Sequence, residues 1–147
     1  MNYKKFGHSI YARLDKNEDI VKSIIAICKA EKVVSATYTG IGGCDDVTVS
    51  TYVLEKKEHL PERKTGLFEM ISLTGSITFE ENGDLFSHAH ALFSYLNDEG
   101  KIEYLGGHLL KANISLTGEI VITPVEKGVI RRMKDPITDL YVWSLGE

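Results

Sequence analysis

The sequence predicts an α+β fold: a single domain of mainly antiparallel β-strands with one main α-helix. Three observations support this prediction. The 147 residues suffice for one domain, residues 1–147, with a sizeable core, and 43% hydrophobic with 26% charged residues is ordinary for a globular protein. Most segments alternate apolar and polar residues, as half-buried strands do. Only one segment shows the wider spacing of an amphipathic helix.

The first predicted elements are a strand over residues 5–14 and the helix after it. In the strand, apolar residues recur at every second position. The segment Asp15-Lys16-Asn17-Glu18 has the form of a capping box, so we expect the helix to begin there and to run to about Glu31. Its predicted buried face is Ile20, Val21, Ile24, Ile25 and Cys28.

A glycine cluster at residues 40–43 separates two further predicted strands, over residues 33–39 and 47–54. The cluster lacks the spacing of a phosphate-binding loop, and no helix follows it. These features favour a bulged corner in which the backbone passes close to a neighbouring element. Residues 56–64 form a predicted charged loop or hairpin tip, where we expect His59 to be solvated.

The next predicted strand spans residues 65–79, with a bend expected at Gly75. Glu69 shares its face with large apolar residues, where an unpaired carboxylate is unfavourable. Two interpretations are open: Glu69 is an acid/base group or a carboxylate supporting a site, or it forms an ion pair with an arginine such as Arg13.

Three segments complete the chain. Residues 109–114 and 119–124 continue the strand pattern, with a turn expected near residues 116–118. Residues 127–134 carry four cations, which we interpret as a solvated edge strand in preference to a DNA-binding patch. Residues 140–145 form a predicted closing strand.

The most informative motif is the segment Phe86–Leu110, in which one predicted strand carries His88 and His90 and the next carries His108. Residues two apart on a strand point to one face. If residues 98–100 form a three-residue hairpin loop, Asn97 lies opposite Lys101 and His90 lies opposite His108. Three imidazoles then converge, as in a transition-metal site with an open fourth position.

Zinc is the first choice for such a site because imidazole suits it, with nickel, copper and iron as alternatives. A hydrogen-bonded structural cluster and packing at an interface are the other interpretations of the three histidines.

Charge and cysteine content bound the function further. A net charge of −4 argues against a large basic surface for nucleic acid. The sequence contains no apolar run of transmembrane length and its start lacks the apolar core of a signal peptide, so we predict a cytoplasmic protein without a membrane partner. Cys28 and Cys44 lack metal-site spacing and are expected to be reduced.

Five segments together resemble the plant and prokaryote conserved domain, known as the PPC or PCC domain. They are Arg13-Leu14-Asp15, Gly40-Ile41-Gly42 with Asp46-Val47-Thr48, residues 68–75, the His88/His90 pair, and Gly106-Gly107-His108-Leu109-Leu110. The resemblance covers nearly the whole chain. It implies a strongly bent antiparallel sheet, a homotrimer, and a zinc ion held by His88, His90 and His108.

The resemblance also bears on DNA. Plant members join this domain to an AT-hook, and prokaryotic members are often described as DNA-binding, which makes DNA a candidate partner. The sequence has no Arg-Gly-Arg-Pro hook, so the arginines that would enter a minor groove are missing.

The predicted fold is also similar to that of acetolactate decarboxylase, a zinc lyase. By this analogy Glu69 and Arg13 are candidate catalytic residues, for acid/base and anion-binding roles respectively. Two hypotheses therefore stand: a metal-binding homotrimer with a DNA-binding or regulatory role, and a small zinc enzyme, lyase or hydrolase, acting on a small oxygenated metabolite. The sequence does not decide whether the protein is an enzyme.

Overall fold

The computed structural model describes residues 1–145, so the last two residues of the predicted domain lie outside the described residues. It contains one helix and eight strands within that range. In chain order they are β1 (Asn2–Phe6), β2 (Ser9–Leu14), α1 (Ile20–Ala30), β3 (Ala36–Val53), β4 (Glu58–Phe79), β5 (Leu85–Leu96), β6 (Ile102–Pro124), β7 (Arg131–Lys134) and β8 (Tyr141–Ser144). The predicted α+β class is confirmed.

All eight strands belong to one strongly curved sheet. Its main path runs β1-β2-β6-β3-β4-β7-β8, and β5 pairs with both β4 and β6. Strands β3, β4, β5 and β6 therefore form a closed circuit of antiparallel pairs around the core. The one parallel pairing in the described chain joins Phe79 of β4 to Arg131 of β7.

The predicted first strand, residues 5–14, is wrong in extent because the chain turns within it. Strands β1 and β2 form a hairpin in which Phe6 pairs with Ser9. Gly7 occupies the turn with φ of +61°, a conformation that glycine adopts without strain. His8 lies in the same turn and is exposed.

The helix begins later than the sequence predicts. Asp19 is its N-cap, and its side chain accepts a hydrogen bond from the Lys22 N–H. The predicted capping box at residues 15–18 forms a turn before the helix, in which Glu18 accepts from the Asp15 N–H at 2.8 Å. Helix α1 buries Ile20, Ser23, Ile24, Ile27 and Cys28, while Val21 and Ile25 are partly buried.

The glycine cluster does not end a strand. Residues 36–53 form one long strand, β3, with register shifts at residues 40–42 and 44–46. A Cβ atom on Gly42 would lie 2.5 Å from the carbonyl oxygen of Thr117 on β6. The predicted bulge and close approach are therefore confirmed. The turn expected near residues 116–118 is wrong, since β6 continues through this contact with β3.

Strand β4 also begins earlier than predicted, at Glu58, so the hairpin tip is confined to residues 54–57. Its buried residues include Phe68, Met70 and Leu73. Gly75 pairs without a register shift, and the irregularity in β4 lies between Met70 and Ser72. The bend expected at Gly75 is therefore wrong, and this glycine instead makes room for the buried ring of Tyr38.

Two further sequence predictions have clear outcomes. Cys28 and Cys44 are both free, as predicted, and both are buried, which the sequence indicated for Cys28 alone. The predicted closing strand is confirmed as β8, which pairs with β7 in a short C-terminal hairpin. Among the residues that the structure describes, no helix has the length and apolarity needed to span a membrane.

Asp46 lies at the second bulge of β3 and joins three strands. Its carboxylate accepts from Arg63 Nε at 2.9 Å and from Lys111 Nζ at 2.6 Å, and its side chain is only 15% exposed. The hydrogen bonds from Arg63 and then Lys111 lower the pKa of Asp46 to about 2. The ionised carboxylate therefore stabilises the folded state above its unfolded pKa near 4.

We expect Asp46→Asn to lower the free energy of unfolding at pH 7 by about 1–2 kcal/mol, since solvent screening of the exposed cations reduces the full linkage value. The difference between variant and wild type should shrink as the pH falls from about 4 and should be largely lost at about pH 2, where the carboxyl group is half protonated in the folded state. Urea unfolding at several pH values measures this, and an equal difference at pH 2 and pH 7 would contradict it.

Candidate metal centre

The predicted hairpin between β5 and β6 is confirmed in loop and register. The Asn97 N–H donates to the carbonyl of Lys101, the Gly100 N–H donates to the carbonyl of Asn97, and Gly100 has a φ of +75°. His90 pairs directly with His108 across the two strands. Turn chemistry at residues 97–101 therefore places the two histidines side by side.

Three histidines converge at this point of the sheet. Each of His88, His90 and His108 offers a ring nitrogen, and the three nitrogens lie within 4.8 Å of one another. Ring centroids are separated by 4.8 Å for His88 and His108 and by 5.3 Å for His90 and His108. The donor set fits a transition metal, because small rotations of three imidazoles bring their nitrogens around one ion.

Partial burial favours the neutral form of two of these rings, His88 and His108. The largest effect on His108 is desolvation, which together with the nearby His88 lowers its pKa to about 4. Desolvation, followed by the charge of Arg132, also lowers the pKa of His88. Neutral imidazole is the form whose nitrogen lone pair binds a metal, so the cluster can bind metal at neutral pH.

A fourth histidine lies at the edge of the cluster, and the sequence did not connect it to the others. The ring centroid of His59 is 5.1 Å from that of His108, and its Nδ1 shares a hydrogen bond with the Ser50 hydroxyl at 3.3 Å. His59 is exposed, as predicted, but it reaches the cluster because β4 begins before residue 60. The sequence did not indicate this placement, because it depends on the pairing of β3 with β4, in which Tyr52 lies opposite His59.

The histidines lie in a hollow of about 520 Å³, which we call the histidine hollow. Its lining includes Ser50 and Tyr52 at the end of β3, His59 at the start of β4, and the three histidines of β5 and β6. The C-terminal segment contributes Arg132 and Tyr141 to the same lining. The volume falls within the range of small-molecule sites, roughly 300–1,000 Å³.

Arg132 departs from the solvated edge strand that the sequence predicts. Its guanidinium carbon lies 4.1 Å from the centroid of the Phe86 ring, and one of its terminal nitrogens donates to the carbonyl of Tyr141. These contacts direct the side chain into the histidine hollow. The other three cations of the segment, Lys127, Arg131 and Lys134, are exposed.

The two predicted catalytic residues lie elsewhere in this chain. Glu69 is exposed and lines a separate hollow beside the glycine cluster, so the apolar burial expected for it is wrong. Arg13 forms an ion pair with Asp15 at 3.3 Å and lines a third hollow. Within the described residues the two form no ion pair with each other, and neither lines the histidine hollow. A catalytic role for them stays a prediction.

Gly107 fixes the backbone that leads into His108. It has a φ of +153°, and a Cβ atom there would lie 2.7 Å from the carbonyl oxygen of Ser50. The neighbouring strand is too close for a side chain at this position. Glycine thus allows β6 to approach β3 and brings His108 close to His59 at the start of β4.

The fold and the site define a class: a small α+β protein with a three-histidine cluster at the base of a ligand-sized hollow. Residues 1–126 match the model of the Plants and Prokaryotes Conserved (PCC) domain. The chain belongs to this family, which confirms the resemblance seen in the sequence. No relative is found among curated protein sequences.

Solved structures agree with this assignment. The chain is similar to a protein of Bacteroides thetaiotaomicron named a "putative DNA binding protein", with 26% identity, a TM-score of 0.86, and coverage of 97% of this chain and 96% of that one. It is similar to a "metal-containing protein" of Archaeoglobus fulgidus, with 25% identity, a TM-score of 0.83, and coverage of 98% and 99%.

A plant- and prokaryote-conserved protein of Pyrococcus horikoshii has 28% identity to this chain, a TM-score of 0.80, and coverage of 99% and 96%. A Staphylococcus aureus protein similar to α-acetolactate decarboxylase has 15% identity and a TM-score of 0.52, with 82% of this chain and 54% of that chain covered. The last similarity confirms the predicted likeness in fold alone.

Proposed function

We propose that this protein binds one zinc ion through His88, His90 and His108, and that the ion binds a small oxygenated ligand in the histidine hollow. The convergence of three imidazoles on one face is the observation that carries the proposal. Three protein ligands leave zinc a further position for an exchangeable group. The adjoining space, about 520 Å³, is large enough for a metabolite.

A bound zinc ion would polarise a carbonyl or hydroxyl oxygen of such a ligand. The chain itself supplies the setting: β5 and β6 hold the three rings in register, and residues of β3, β4 and the C-terminal segment line the rest of the hollow. This arrangement supports the small zinc enzyme, lyase or hydrolase, as well as a regulatory site that binds a metabolite without turnover.

The test is zinc content per chain in protein purified without a metal-affinity tag. We expect near one equivalent in the wild type and loss of most of it in His90→Ala. His8→Ala is the matched control, because His8 is exposed in a turn and lies outside the cluster. No zinc in the wild type, or equal zinc in His90→Ala, would contradict the proposal.

The proposed assembly is a homotrimer. Large apolar side chains stay exposed around the hollow that contains Glu69, and their exposed fractions are 54% for Ile41, 46% for Ile71 and 62% for Leu116. Such a patch is typical of an interface between chains. Light scattering should give three times the 16.4 kDa chain mass, and a monomeric mass would remove this part of the proposal.

DNA is the second candidate partner, favoured by the name of the Bacteroides thetaiotaomicron protein. The net charge of −4 and the missing arginine hook count against it. A mobility shift with duplex DNA that weakens as salt increases would support DNA binding, and no shift at low salt would remove it. The cytoplasmic location predicted from the sequence stays a prediction.

A further inference from the structure

We propose that Arg132 is the anion-binding group of the histidine hollow, and that the ligand of this site is a small organic acid whose carboxylate pairs with Arg132. This inference rests on the zinc site proposed above and specifies its ligand. It assigns a binding role to the C-terminal hairpin of β7 and β8, which lies beyond the residues matched by the family model.

The charge balance of the hollow favours an anionic ligand. Three neutral imidazoles leave both positive charges of a zinc ion uncompensated. Apart from the histidines, the charged side chains among the described residues of the lining are Arg132 and Asp139. The Asp139 carboxylate is paired with Lys134 Nζ at 2.7 Å, so it does not offset this excess. A bound anion would offset this excess of positive charge.

Arg132 is held in place, and not all of its hydrogen-bond donors have a partner. The Phe86 ring lies under the guanidinium, and the carbonyl of Tyr141 accepts from one terminal nitrogen. Its Nε is buried and has no hydrogen-bond partner among the residues described here. Desolvation lowers the pKa of the Arg132 guanidinium, and the negative charge of Glu80 acts on it in the opposite direction. Glu80 does not line the hollow, however, and among the described residues it forms no ion pair with Arg132.

The hydrogen-bonding geometry of a guanidinium group favours a carboxylate as the anion. A planar guanidinium binds a carboxylate through two parallel hydrogen bonds, and a fixed guanidinium does so with little loss of side-chain freedom. A second oxygen of the same acid would then face the histidines. The hollow, at about 520 Å³, has room for an acid of metabolite size together with the ion.

The experiment is calorimetric titration of the zinc-loaded protein with glycolate, ethylene glycol and inorganic phosphate. Glycolate carries a carboxylate and a hydroxyl, ethylene glycol is its uncharged counterpart, and phosphate is an anion of another class. We expect glycolate to bind the wild type more tightly than the other two compounds. Arg132→Gln should weaken glycolate binding tenfold or more, and Arg132→Lys should weaken it less because the charge remains.

Arg131→Gln is the matched control. Arg131 is the preceding residue on the same strand, lies over Phe79, and does not line the hollow, so this variant should bind glycolate as the wild type does. Zinc content and thermal unfolding are measured for every variant before titration. A folded, zinc-loaded Arg132→Gln protein with undiminished glycolate binding would overturn the inference.

Two other outcomes would also overturn it. No glycolate binding to the zinc-loaded wild type would exclude a carboxylate ligand, and tighter binding of phosphate than of glycolate would assign the site to another class of anion. Absence of zinc from the wild type is a separate failure. It would be seen in the metal analysis before any titration and would remove the proposed function and this inference together.

Discussion

Removal of zinc by a chelator is expected to lower the midpoint of thermal unfolding by about 10 °C. An ion that binds only the folded protein stabilises it by about 4 kcal/mol when its free concentration is a thousand times the dissociation constant. For a chain of this size, each kcal/mol shifts the midpoint by roughly 2–4 °C. Scanning calorimetry at one protein concentration, with and without EDTA, measures the shift.

The control for this experiment is His108→Ala. His108 lies between His90 on β5 and Ser50 on β3, so its removal takes one ligand from the proposed centre. We expect the unfolding midpoint of this variant to be the same with and without EDTA. A wild-type midpoint that is unchanged by the chelator, in protein shown to contain zinc, would exclude a stabilising centre.

Replacement of Gly75 by alanine is expected to lower the free energy of unfolding by about 3 kcal/mol. The added Cβ would overlap the Tyr38 ring, at 2.7 Å from Cε2 and in contact with Cζ. Tyr38 is 1% exposed and its hydroxyl is hydrogen-bonded to Ser87. Since the ring is closely packed, it cannot shift to accommodate the added methyl group without losing these contacts. Urea unfolding measures the loss from the shift in midpoint.

A double-mutant cycle identifies the cause of this loss. In a Tyr38→Ala background the ring is absent, and Gly75→Ala should then change the free energy of unfolding by only a few tenths of a kcal/mol. Losses that simply add in the double variant would show that the contact between Gly75 and Tyr38 is not responsible.

The histidine cluster was predictable because its geometry depends on a short segment. The loop at residues 98–100 and the alternation of β5 set the register, and register alone places His90 opposite His108. The same local signals identify the helix. They misplace its start, because the turn at residues 15–18 contains one hydrogen bond of a capping box while Asp19 provides the cap.

The features that the sequence missed depend on contacts between distant segments. Residues 36–53 form one strand because Gly42 passes against Thr117, 75 residues later in the chain. His59 and Arg132 reach the cluster from the neighbouring strands β4 and β7, through the β3–β4 pairing and the β7–β8 hairpin. Neither placement leaves a periodic signal in the sequence, since each depends on how the long strands bend and close.

Anomalous diffraction at the zinc absorption edge would locate the proposed ion in crystals of protein purified without a metal-affinity tag. We expect one strong anomalous peak per chain, within bonding distance of nitrogen atoms of His88, His90 and His108, at about 2.0–2.1 Å. A fully occupied zinc bound elsewhere, or three ordered rings with no peak between them in protein that contains zinc, would contradict it.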